Sequence, residues 1–116
     1  MAADRGFHDD VLAVLRDLGD VTSKAMFGGY GIWQSGDMFA LISSDSTLYF
    51  KASDDTVERY TRADSARFMD MMPYYEVPAE VMDDEGRMLE WAQEAAQVGH
   101  ATAKPKKPKK KKTASS

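Results

Sequence analysis

The chain has 116 residues, 43% of them apolar and none cysteine, with a formal net charge of −4. That length suits one domain, and the lack of cysteine excludes disulfides, thiolate metal sites and a cysteine nucleophile, in keeping with a reducing cytoplasm. No run approaches the ~20 apolar residues of a membrane helix, and the acidic start, with Asp4, Asp9 and Asp10, is not expected to be a secretory signal.

Phe7, Val11, Leu12, Leu15 and Leu18 recur at steps of three and four, which predicts one apolar face of a helix. Asp9 and Asp10 are expected in its first turn, where the helix dipole favours negative charge, and Gly19 is a good stop. The rhythm then shortens. Strands are predicted near 24–28, 29–34, 38–43 and 47–51, joined by the turn sequences "QSGD" and "SSDS" into an antiparallel meander. In the last of them Leu48 and Phe50 face one way and Tyr49 and Lys51 the other, as in a sheet covered on one side only. "SDDTVERYTRA" predicts a helix capped by Ser53 or Asp54, with Val57 and Tyr60 inward. "ARFMDM" and "YYEV" suggest two further strands, the second at an edge, and Pro78 suits the start of a short helix over 78–83. A last helix from about Glu85 to Val98 is expected to bury Met88, Leu89, Ala92, Ala95 and Ala96. The resulting fold class is a two-layer α+β domain over residues 1–99. A curled antiparallel sheet carries helices on one face, in the order α-β4-α-β2-α.

"KAMFGGYGIW" places Gly28, Gly29 and Gly31 close together. A Walker-type phosphate loop needs lysine and a hydroxyl residue after its last glycine and then a helix, and a dinucleotide fingerprint needs a different spacing. Neither pattern is present. Glycine in strand-like sequence instead marks a bend, a bulge or close packing. Gly28 and Gly29 are predicted to reverse the chain between the first two strands, and Gly31 to make room for a ring on a neighbouring strand.

"MFGGYGIW", "GDMFALIS", "LYFK" and "PYYEVPAEV", in that order, resemble the N-terminal domain of the TfoX/Sxy family, over about residues 7–97. The family includes bacterial regulators of natural competence. The resemblance implies a helix, a curled antiparallel sheet and further helices on one face, and it brings no catalytic residues to transfer. The competence regulators carry a second, helical, DNA-associated domain, whereas here a short lysine-rich segment stands in that place. Their activator role at promoters is therefore not carried over.

Little in the residues points to catalysis. His8 and His100 have no metal-ligand spacing, so His8 is expected at a solvated helix start and His100 in a linker. The doublets at 54–55 and 83–84 sit where helices begin, and capping accounts for them. The chain is thus expected to be non-enzymatic, with no cofactor and no metal. Met69, Met71, Met72, Tyr74 and Tyr75 form an adaptable, amphipathic set suited to contact with a protein partner or a second copy.

The charge partition is the clearest signal. Residues 1–103 hold 8 basic and all 19 acidic side chains, a net −11, whereas Lys104, Lys106, Lys107, Lys109, Lys110, Lys111 and Lys112 add +7. Residues 100–116 contain nothing apolar larger than alanine and two prolines among like charges, so they are expected to be disordered. Such a segment attracts DNA or RNA through phosphate charge; without arginine or aromatic residues it reads no sequence. Folding back onto the acidic body is the competing use. The sequence thus predicts a cytoplasmic bacterial interaction module with a nucleic-acid-binding tail. The alternative is a small-ligand protein or enzyme with its site in the curl of the sheet, near Tyr30, Trp33 and Tyr49.

Overall fold

The structure, a computed structural model, describes residues 4–26, 28–63, 65–68 and 73–102. Helix α1 (Arg5–Leu15) runs into a 3₁₀ turn (Arg16–Leu18). Strands β1 (Val21–Met26), β2 (Gly29–Gln34), β3 (Asp37–Ile42) and β4 (Leu48–Lys51) follow. Helix α2 (Val57–Arg62), strand β5 (Tyr74–Glu76), helix α3 (Ala79–Met82) and helix α4 (Glu85–Thr102) complete the order. The sheet is an antiparallel meander, β1-β2-β3-β4-β5, with α4 laid along β3 and β4 and α1 beside it. The two-layer α+β architecture expected from periodicity and turn residues is present.

Several boundaries move, each for a local reason. α1 begins at Arg5, so Asp9 and Asp10 lie past the first turn expected for them, and Asp4 is its cap: its carboxylate accepts from the Gly6 N–H at 3.3 Å. β1 begins three residues before the expected 24, because Val21 already pairs with Gln34. α2 starts only at Val57, since Ser53 and Thr56 close a turn of their own, the Ser53 N–H donating to Thr56 Oγ1 at 2.9 Å. At α4 the capping reading holds, with Asp84 Oδ1 accepting from the N–H groups of Gly86 and Arg87. The strand expected at "ARFMDM" reduces, among its described residues, to one bridge, Arg67 opposite Tyr75. α4 itself continues through Gly99 to Thr102, past the expected end at Val98.

The glycines shape the sheet. Gly28, at φ 80°, lies in the tight connection between β1 and β2, a conformation that favours glycine. A methyl group on Gly29 would lie 2.0 Å from the Ile42 carbonyl oxygen, so β2 and the end of β3 approach as only glycine permits. Gly31 does make room for a ring, but the ring is Trp33 of the same strand, with Met26 of β1 beside it.

One β-bulge sets the core. The register between β2 and β3 slips between Ile32 and Trp33, leaving Phe39 as the extra residue of β3. A bulge turns two successive side chains towards one side, and Phe39 and Ala40 are both wholly buried in the core with Ile32, Ile42, Leu48 and Phe50. From the helices come Val11, Leu12, Leu15, Met88, Trp91, Ala92, Ala95 and Ala96. The small residues of α4 let its axis lie close over the bulge: a methyl group on Gly99 would stand 2.8 Å from the Met38 carbonyl oxygen. Leu89, expected in this core, is half-buried instead, and Trp91 takes the inward position.

Candidate functional site

Two of the grooves along α4 differ in charge. The first runs between α1 and the α3–α4 corner, encloses about 480 Å³, and has Phe7, Val14, Met82 and Leu89 along its walls. Asp10, Asp17, Asp83 and Glu85 rim it.

The second groove, about 440 Å³, lies between α2, α3 and α4, and its lining is basic. Arg59 and Arg62 stand three apart on α2 and so share a side of it; Arg87 and Trp91 stand four apart on α4 and do likewise. The two helix faces bring the three arginines to one opening, where Glu80 is the one carboxylate among the described lining residues. Arg59 lies over the Trp91 ring at 4.6 Å, and its Nε stands 3.5 Å from Glu94 Oε1 as an ion pair without a hydrogen bond. Tyr60 meets Trp91 edge-on at 5.1 Å. Arg59 Nη1, Glu94 Oε1 and the Tyr60 hydroxyl are all buried and lack hydrogen-bond partners among the described residues. A buried polar atom left unpaired costs about 1–3 kcal/mol, so three of them in one place require an explanation. Burial pushes the Tyr60 phenol well above the usual tyrosine range; the Glu94 charge adds to this and Arg59 opposes it.

The residues singled out in the sequence scatter. The seven lysines, Lys104, Lys106, Lys107, Lys109, Lys110, Lys111 and Lys112, lie outside the described residues, as do Met69, Met71 and Met72. Tyr74 is buried, 5% exposed. Burial raises its phenol pKa to about 12. Tyr75 turns inward to stack on Tyr60 at 5.7 Å. Among the described residues, then, that segment spends its tyrosines on packing. The trio Tyr30, Trp33 and Tyr49 does not line one site. Tyr30 faces the helices, while Trp33 and Tyr49 share the outer face, where Tyr49 meets Phe68 at 5.0 Å. Residues three apart on a strand point to opposite sides, so parity alone separates Tyr30 from Trp33.

Both histidines hold the fold. His8 is half-buried rather than solvated: its ring stacks on Tyr30 at 3.9 Å, Nε2 meets Ser23 Oγ at 2.9 Å and Nδ1 meets Asp9 at 3.0 Å. His100 is part of α4, not a linker, and joins the helix to the β2–β3 hairpin through Asp37 Oδ2 at 2.7 Å and Gln34 Oε1 at 2.5 Å. The Gln34 amide is oriented by its own donation to the Gly19 carbonyl at 3.0 Å. No three His, Asp or Glu side chains among the described residues are placed to share a metal ion. No described helix is long and apolar enough to cross a membrane.

A five-stranded antiparallel meander backed on one face by a long helix, with its chemistry at the helix flanks instead of on the sheet, defines a small α+β domain. Residues 13–99 match the TfoX N-terminal domain, three quarters of the chain, and the chain belongs to that family. No curated protein sequence matches it.

Proposed function

We propose that this protein is a non-enzymatic interaction module of the kind found in competence regulators, acting in the bacterial cytoplasm, whose lysine-rich segment engages nucleic acid without reading its sequence. The charge partition supports this: +7 within residues 104–112 against −11 in residues 1–103. The body repels DNA as a whole, so phosphate contact falls to the lysines, and affinity comes from released counterions. The folded part then meets a protein partner or a second copy.

Deleting residues 104–116 is expected to abolish the gel-shift of arbitrary DNA at low salt. For the intact chain, log K falls against log salt with a slope no steeper than about −6, the limit if all seven lysines reach phosphates. Replacing the seven lysines by glutamine gives the same loss without shortening the chain. Undiminished binding by either variant refutes the proposal.

A further inference from the structure

We propose that the cleft between α2, α3 and α4 is a binding site for a small phosphorylated molecule, with Arg59, Arg62 and Arg87 holding its phosphate oxygens. The lysine-rich segment plays no part in it. Three of the eight basic side chains of residues 1–103 converge on this one opening of a body whose net charge is −11. Among the described lining residues Glu80 is the one carboxylate, while Glu94 and Glu58 pair with Arg59 and Arg62 and leave Arg87 as the uncompensated charge. Arg59 is the anchor. Its guanidinium carbon lies over the Trp91 ring at 4.6 Å and Nε stands 3.5 Å from Glu94, while the side chain keeps about a third of its surface exposed, at 35%. A guanidinium presents its N–H groups as a rigid fork, and phosphate oxygens match that fork in both charge and geometry.

The other two arginines are free to close on such a ligand. Among the described residues Arg62 pairs with Glu58, and both side chains are about three-quarters exposed, at 76% and 71%, so water screens that contact and the pair is easily exchanged. The Arg87 guanidinium makes no hydrogen bond or ion pair among the described residues, its backbone N–H alone being used, by Asp84. Pro78 and Ala63 give the cleft apolar walls, and its volume falls in the range of small-molecule sites. An organic phosphate monoester therefore suits it better than a bare ion: oxygens on the arginines, carbon body on the apolar walls.

The protein carries its own control, because Trp91 and Trp33 are its only tryptophans and Trp33 lies on the outer face of the sheet. The full-length chain is titrated with phenyl phosphate at constant ionic strength while the two indole N–H resonances are followed, with phenol as the neutral comparison. The expected result is a saturating shift at Trp91, none at Trp33, and none at either with phenol. Arg62→Gln and Arg87→Gln, both at exposed positions, are each expected to weaken binding about tenfold, as loss of a charge-assisted contact implies. The lysine-to-glutamine chain described above binds phenyl phosphate as before. An unshifted Trp91, equal shifts with phenol, or an affinity that follows the lysines and not the arginines overturns the proposal. Because DNA binding and phenyl phosphate binding are read on different variants, failure of this site and failure of the nucleic-acid reading are told apart.

Discussion

Gly99→Ala sets two energies of known size against each other. In the interior of an isolated helix, alanine is better than glycine by about 1 kcal/mol. In this protein the added methyl would stand 2.8 Å from the Met38 carbonyl oxygen and 3.4 Å from Phe39 Cβ. An ordinary carbon–oxygen contact is about 3.3–3.6 Å, so α4 or the bulge must give by about half an ångström. Met38 contributes backbone, and Phe39 is wholly buried, so neither yields freely. Overpacking of this kind costs about 1–3 kcal/mol, and a gap of that width along the remaining contact forfeits a quarter or more of its dispersion energy. The net effect is a loss of about 1 kcal/mol, which lowers Tm by about 4–8 °C in a domain of this size. Gly86→Ala is the control: it lies in the first turn of α4, where a methyl group would meet only Asp84 Oδ1, at 3.4 Å. Thermal denaturation followed by circular dichroism is expected to show Gly99→Ala below the parent and Gly86→Ala at or slightly above it. A Gly99→Ala protein several degrees more stable than the parent refutes the close seating of α4 on the bulge.

Gly29→Ala is expected to be far more severe, at about 3 kcal/mol or beyond, because its methyl would meet the Ile42 carbonyl at 2.0 Å and pry β2 from β3; urea denaturation measures it, and a change below about 1 kcal/mol contradicts the register given above. Alkaline stability follows from Tyr74, whose phenol rises from 10.0 to about 12 on folding. A group with a raised native pKa contributes stability below its unfolded value and loses it as pH climbs through the native one, so about 2–3 kcal/mol disappears between pH 10 and 12. Tyr74→Phe removes that part of the decline, visible as a flatter urea midpoint against pH; an unaltered profile counts against burial of the phenol. His8→Ala is expected to cost about 1–2 kcal/mol by removing the Ser23 hydrogen bond and the stack on Tyr30. Equal stability of that variant and the parent at neutral pH denies His8 its role as the tie between α1 and the sheet.

Much of the fold was legible because its causes are local. The apolar steps of α1, the turn residues around β2, β3 and β4, and the alternation of Leu48 and Phe50 with Tyr49 each depend on residues within a few positions of one another. Boundaries slipped where a nearby group competed, as Ser53 and Thr56 did at α2. The candidate site was half legible. The spacing of Arg59 and Arg62, and of Arg87 and Trp91, could have been read as two shared helix faces, but nothing within either stretch says that the faces meet.

From the sequence by itself come the first helix, the four-stranded meander and the helices after it, the family resemblance and the division of charge between body and lysine run; all rest on short-range patterns or on counting. The tertiary structure alone decided that Phe39 becomes the extra residue of a bulge and that α4 runs on past Gly99 to bring His100 against Asp37. It also decided that an arginine of α2 lies over a tryptophan of α4. Such facts turn on register and packing between residues up to 63 positions apart in the chain, as for His100 and Asp37. No local rule carries that information, because it is settled only when the helix and sheet surfaces are pressed together.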